Sequence, residues 1–239
     1  MAKSAPVPGR PRSRDAAGLP AVTPERIIDA ALELTARHGV ETWTLRQLAG
    51  AVDAYPAVIY HHVGDRDTVV TAVVDRVIAM YELPPAELDW RDWWRQFLTN
   101  LRGVFMRYPG VARRVALLGP SVKAAAPTVD RAMRTLMRAG FDADEAAMVC
   151  RMLVSQACLF ISLEDDQRKT SEVKAQISKV WGTPPADPDL SGLATLNESV
   201  HERLADPDKS EEYFAELFYY AVDRALDGVQ MRLREIERP

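Results

Sequence analysis

Two histidines stand side by side in the stretch DAYPAVIYHHV, Asp53–Val63. Paired imidazoles can ligate a metal or move protons. On a helix, however, neighbouring side chains point about 100° apart, so His61 and His62 cannot easily share one ion. Their arrangement instead predicts one ring packed inward and one at a phosphate-facing surface. A second suggestive pattern is ESVH, Glu198–His201. Glu-x-x-His serves carboxylate-bridged metal bundles, which need two copies and further glutamates. This chain has one copy and 4 histidines in all, so the enzyme reading falls, and no catalytic residue, metal or cofactor is expected. The only cysteines, Cys150 and Cys158, lie in one apolar run. Without a disulfide framework they point to a reducing, cytoplasmic compartment.

The elements that position these residues can be read along the 239-residue chain, which at 47% apolar and 27% charged residues can bury a core. The N-terminal MAKSAPVPGRPRSRDAAGLP lacks the apolar stretch of a secretory signal. No run of about 18 uninterrupted apolar residues is present, so no membrane partner is expected. A net charge of −4 argues against nucleic acid by itself. The distribution matters more, because Lys3, Arg10, Arg12 and Arg14 sit in a Pro/Gly-rich arm, residues 1–14, that has no acid. Such an arm is either a solubilising tail or a reach into phosphates and a narrow minor groove.

Helical punctuation follows the arm. Thr23 caps a helix with Pro24 at its first position, a stripe of Ile27, Ala31 and Leu34, and Gly39 as its stop. Thr44 with Gln47 makes a capping box for a two-turn helix with Leu45, Leu48, Ala49 and Val52 inward. Pro56 opens the next helix after a tight connection at 53–55, and Asp65 caps a connector, Arg66–Met80, with Val69, Val73 and Val77 inward. A buttress helix, a tight turn and a second two-turn helix make a helix–turn–helix, whose second helix suits a major groove about 12 Å wide.

Thr23–Val70 resembles the DNA-binding domain of the TetR family of transcriptional regulators. The resemblance rests on IIDAALEL, on the aromatic-Thr-Leu-Arg start at Trp43–Arg46, on IYHHV at Ile59–Val63 and on the basic Arg66. It implies phosphate contacts from Thr44, Tyr60, His61 and Arg66, groove-floor positions for Tyr55, Ala57 and Val58, and a place for Arg46 in the DNA-binding set with Arg10 and Arg12. Asp53 stands where the family's turn usually has glycine, and Tyr55 where it has a serine cap. Aspartate tolerates the left-handed backbone better than most residues.

The rest reads as a helical bundle. Helices are expected at Trp90–Tyr108, Val111–Leu118, Pro127–Ala139, Ala146–Leu163, Leu190–Leu204 and Ser210–Arg234, with a polar, then Pro-rich and mobile segment over 166–188. Ala146–Leu163 is apolar on all sides and therefore expected to be buried on all sides, with a partner chain covering it. Met152, Leu153, Phe214, Phe218, Ala221 and Ala225 are the expected dimer contacts. Trp93, Trp94, Phe97, Met133, Met137, Gln156 and Phe160 are the candidate ligand contacts, each against the alternative of plain core packing.

The expected fold is all-α: a flexible basic arm (1–22), a three-helix helix–turn–helix domain (23–70) and a larger helical ligand-binding and dimerisation domain (71–239). The expected function is a ligand-responsive repressor that binds a pseudo-palindromic operator as a homodimer and is released by a small, largely apolar effector. The alternative is a helical small-molecule-binding protein whose operator recognition has degraded.

Overall fold

The computed structural model describes residues 21–169, 189–205 and 207–238, in which all regular structure is helical. The basic arm and nearly all of 166–188 lie outside these residues. The described helices are α1 (Pro24–His38), α2 (Leu45–Ala51), α3 (Pro56–His62), α4 (Arg66–Ile78), α5 (Trp90–Phe105), α6 (Val111–Leu118), α7 (Val122–Ala139), α8 (Ala143–Lys169), α9 (Ser191–Ala205) and α10 (Pro207–Ile236).

The first four helices form the head. The Thr23 hydroxyl accepts from the Arg26 amide at 3.3 Å, Pro24 opens α1, and Gly39 at φ 87° closes it. The buried face of α1 carries Ile27, Ile28, Ala31 and Thr35, while Leu34 is half-buried. A threonine holds that place because its polar group is satisfied: its hydroxyl donates to the Ala31 carbonyl at 2.8 Å and accepts from the Trp43 indole at 2.9 Å. The capping box on α2 forms as expected between Thr44 and Gln47. Asp53 has φ 53°, the left-handed turn between α2 and α3 that its residue type allows. Asp65 caps α4, and the Thr68 hydroxyl and amide hold its carboxyl below the usual range.

The body is a bundle around α8, which packs against α5, α6, α7 and α10. Helices α7 and α8 differ most from expectation, α8 running Ala143–Lys169 where Ala146–Leu163 was expected. Helix α7 begins at Val122, not Pro127. Ser121 caps it by accepting from the Ala124 amide at 3.2 Å, and the helix-favouring run Lys123–Ala126 outweighs the one hydrogen bond that Pro127 removes. At the start of α8 one half of a capping box forms. Asp142 accepts from the Glu145 amide at 2.8 Å, but the Glu145 carboxylate turns to Arg232 on α10.

Within a single chain α8 is not covered on every side. Leu153, Ala157, Cys158 and Ile161 are buried, but Met148, Met152, Leu159 and Leu163 are exposed in helical register along one face. Of the expected dimer contacts, Leu153, Phe218 and Ala221 belong to the chain's own core, Ala225 is half-buried facing them, Phe214 is half-buried, and Met152 is exposed. By length and composition, Ala143–Asp166 would suffice to cross a membrane, because a few polar residues do not lower its mean hydropathy enough. In this fold it is the helix on which the bundle is assembled.

Helices α5, α8 and α10 meet at one ion pair. Arg102 grips both oxygens of the buried Glu164 at 2.9 Å, and its guanidinium lies 5.5 Å from the Phe218 ring centre and 5.7 Å from that of Tyr219. The surface pairs Arg95–Asp223 and Arg232–Glu145 follow the same seams and contribute little each. Replacing Glu164 with leucine leaves the guanidinium without its carboxylate. Denaturant unfolding should show a loss of about 3–5 kcal/mol, much of it recovered by adding Arg102→Met. A loss below about 1 kcal/mol would show that the aromatic rings, not the pair, hold these helices together.

Candidate nucleic-acid interface and effector cavity

The position of the helix–turn–helix is set by Trp43. Its ring is buried between α1 and α4, with the Arg66 guanidinium 5.0 Å from its centre. Arg66 also donates to the carbonyls of Trp43 at 3.1 Å and Val40 at 2.8 Å, and lies 3.7 Å from Glu41. The residue expected at a phosphate is therefore turned inward, fixing the loop that presents Thr44. An arginine can do this where a lysine cannot, because its fork satisfies two carbonyls while its plane covers a ring.

Other expected contacts lie on the exposed surface of α2 and α3 and the turns before them. Thr44, Arg46, Tyr55, Ala57, Tyr60 and His61 are exposed, and Val58 is half-buried. Tyr55 is 71% and Tyr60 56% exposed, unusual for side chains of this size without a partner. Arg46 makes no ion pair among the described residues. His62 does not pack inward as expected: both imidazoles are exposed and meet edge to face at 5.4 Å. Two further residues of this surface, His62 and Gly50, were not singled out from the sequence as DNA contacts. A Cβ at Gly50 would meet nothing within 4 Å, so α2 is open to close approach there. The side chain of His201 lies outside the described residues, and among the described residues no three His, Cys, Asp or Glu groups converge as a metal site.

Head and body are joined at several points. The Val40 amide donates to the Pro109 carbonyl at 2.9 Å. Arg114 of α6 lies 4.0 Å from Glu41 and 3.6 Å from Asp67 of the head. Asp75 of α4 accepts from the Ser121 amide at 3.1 Å. The buried Asp165 of α8 accepts from the Gly110 amide at 2.8 Å, which fixes the start of α6.

A cavity of about 250 Å³ lies among α4, α5, α6, α7 and α8. Of the candidate ligand contacts, only Phe97 and Met133 line it. Trp93 and Trp94 are fully buried against Phe97, the first stacked on it at 5.3 Å. Met137 is exposed on the surface. Gln156 and Phe160 face α10 around a gap without room for a water, and the Gln156 amide reaches the Ala221 carbonyl at 3.5 Å. The cavity's polar groups are Tyr81 and Thr128, hydrogen-bonded to each other at 3.1 Å, with Cys150 and Arg151. Burial pushes the Tyr81 phenol and the Cys150 thiol above their usual values, so both stay neutral. The signal that could have found this cavity was Arg151, a cation inside the most apolar helix of the chain.

An all-helical chain with a short N-terminal helix–turn–helix on a larger bundle has the fold of TetR family proteins. No family model matches the chain. A curated helix–turn–helix transcriptional regulator from Saccharopolyspora erythraea is 33% identical over 126 residues, 51% of this chain and 52% of that protein. The chain thus matches about half the length of that relative. The class D tetracycline repressor protein from Escherichia coli is 26% identical over 212 residues, 87% of this chain and 89% of that one. In fold, the TetR family protein ActR of Streptomyces coelicolor, solved with actinorhodin, superposes with a TM-score of 0.67 at 22% identity, covering 88% of this chain and 99% of ActR. The relatives are transcriptional regulators rather than enzymes.

The two roles of the exposed and inward residues separate by experiment. Arg66→Ala removes hydrogen bonds from two carbonyls and should lower the unfolding free energy by about 1–3 kcal/mol. Tyr60→Ala on the open face should leave it within about 0.5 kcal/mol. Equal losses in thermal unfolding would mean that Tyr60 is part of the head's packing.

Proposed function

We propose that this chain is a ligand-responsive transcriptional repressor, cytoplasmic, that binds a pseudo-palindromic operator as a homodimer. In this reading residues 1–22 form a basic arm, 23–70 the DNA-binding domain and 71–239 the effector-binding and dimerisation domain. The observation that carries it is the sharing of helices. Helix α4 bears both Asp67, at the head's link to α6, and Ile78, in the cavity wall; α6 bears both Arg114, at the head, and Val115, in the wall. A molecule in the cavity therefore pushes on the elements that hold the head.

A two-fold dimer reads half-sites about 34–36 Å apart, so a small tilt of α4 changes the fit to DNA. The effector shifts this equilibrium only by its difference in affinity for the two states, about 1–3 kcal/mol in typical cases. The uncovered stripe Met148, Met152, Leu159 and Leu163, with Tyr220 and Met231 exposed on α10, supports the assembly. An apolar row of this kind suits a partner's identical row under two-fold symmetry.

One observation favours the alternative, a small-molecule-binding protein with degraded operator recognition. Helix α3 offers few hydrogen-bonding groups to base edges, so readout must lean on Tyr55, on thymine methyls and on DNA shape.

A mobility-shift titration on DNA upstream of the protein's own gene tests the reading. Sequence-preferring binding is expected, and binding no tighter than to random duplex would leave the alternative. Removing residues 1–14 should flatten the salt dependence, by about 0.9 in log–log slope for each phosphate that the arm neutralises. The double variant Met152→Arg/Leu159→Arg should be a folded monomer by light scattering and should no longer bind operator. Leu153→Arg, in the chain's own core, should fail to fold. A dimeric Met152→Arg/Leu159→Arg protein would place the interface elsewhere.

A further inference from the structure

Among the described residues Arg151, itself open to solvent where the cavity meets the surface, is the only charged one in the cavity wall, and no aspartate, glutamate or histidine accompanies it there. Its guanidinium donates to the Ala116 carbonyl, in the last turn of α6, at 3.0 Å. No carboxylate among the described residues pairs with it. Everything else in the wall is apolar except the neutral Tyr81–Thr128 pair and Cys150. The site thus has the make-up of a pocket for a molecule that is anionic at one end and oily over the remainder. A cationic ligand would meet Arg151 without a counter-charge, and a heavily hydroxylated one would bury polar groups with few partners.

We propose that the effector is an amphipathic monoanion, with an apolar body inside the cavity and one carboxylate or comparable oxyanion on Arg151. This rests on the reading of the cavity as the effector site. The size agrees: a void of about 150 Å³ holds benzene, so about 250 Å³ takes a ring with a short chain, or a medium alkyl chain. The planar fork of arginine matches a carboxylate with two parallel hydrogen bonds. A single hydroxyl or carbonyl along the body can join the Tyr81–Thr128 pair.

The position of Arg151 gives the anion a second effect. In the structure the guanidinium sits on the last turn of α6, where a cation favours the exposed carbonyls. A carboxylate competes for the same donors. Drawing Arg151 away loosens the end of α6 at Gly119, and α6 carries Arg114, which touches the head. A neutral molecule of the same shape would fill the cavity and leave the Arg151–Ala116 hydrogen bond in place.

Three probes with one alkyl body separate head-group charge from cavity filling: octanoate, octan-1-ol and octylammonium, titrated into the full chain by calorimetry. Octanoate should bind about tenfold more tightly than octanol or better, with octylammonium weakest. Arg151→Gln should reduce octanoate to the octanol level and leave octanol unchanged, while Arg151→Lys keeps part of the preference. Octanoate, and not octanol, should speed amide exchange over Val115–Gly119. Equal octanoate and octanol affinities in the unaltered protein, or a preference surviving in Arg151→Gln, overturns the proposal while the cavity reading stands. The cavity itself is tested by Ala147→Trp, at an exposed wall position, with thermal unfolding checking that the variant is folded. It should abolish octanol binding. Octanol binding that is undiminished in that variant, or no binding of any probe to the unaltered protein, overturns both.

Discussion

A 27-residue helix that is largely apolar cannot stand in water, and the arrangement of this chain follows from covering α8. Four helices pack on it from within the chain, and each side is secured differently. Toward α5 and α10 the seam is closed by Arg102 and Glu164, a buried charge pair whose neighbours are aromatic rings. Toward α6 and α7 it is left open as a cavity. The remaining side is the stripe Met148–Leu163, which none of the described residues covers. The hydrophobic effect is non-directional, so the directional contacts decide which side is packed, which is hollow and which is left for another surface.

The head solves a different problem. With helices of seven residues, α2 and α3 have little intrinsic stability, since isolated helices this short are marginal. They are held by α1 and α4 through one buried tryptophan, whose indole, ring face and carbonyl are each engaged, by Thr35 and Arg66. These residues are thus engaged within the head. What the head presents outward is the remainder: Arg46, Tyr55, Ala57, Tyr60 and the two histidines.

Local signals made most of this legible. Caps at Thr23, Thr44 and Asp65, stops at Gly39 and Gly140, and the 3.6-residue stripes place the helices to within a turn, because each depends on neighbours in sequence. Pro127 misled because a proline reads as a start, whereas Ser121 and an alanine run had already started α7. The cavity itself was not legible, since Phe97, Thr128 and Arg151 come together only through the packing of α5, α7 and α8. Aromatic residues were only a partial guide to it: Phe97 lines the cavity, whereas Trp93 and Trp94 are fully buried in packing against Phe97 and do not. The inward contacts of Arg66 were not legible either. Its type is visible in the sequence, but the two carbonyls it satisfies lie 23 and 26 residues away.

Communication between cavity and head must pass through elements that can move at small cost. Helix α6 has eight residues between Gly110 at φ 86° and Gly119 at φ 72°, conformations that glycine adopts without strain. Its first turn is tied to the buried Asp165 and, through Arg114, to the head; its last turn is tied to Arg151 at the cavity. Helix α4 is the opposite case, with six buried residues anchoring it along its length. A rigid rod and a short, doubly hinged helix meet the head at neighbouring residues. In the proposed coupling, a displacement at the cavity would be absorbed first by α6 and would reach the head as a change in what grips α4 rather than as a bend within it. Coupling of that kind needs no chain of shifted side chains through the core, only two arrangements of one helix whose balance both sites can bias.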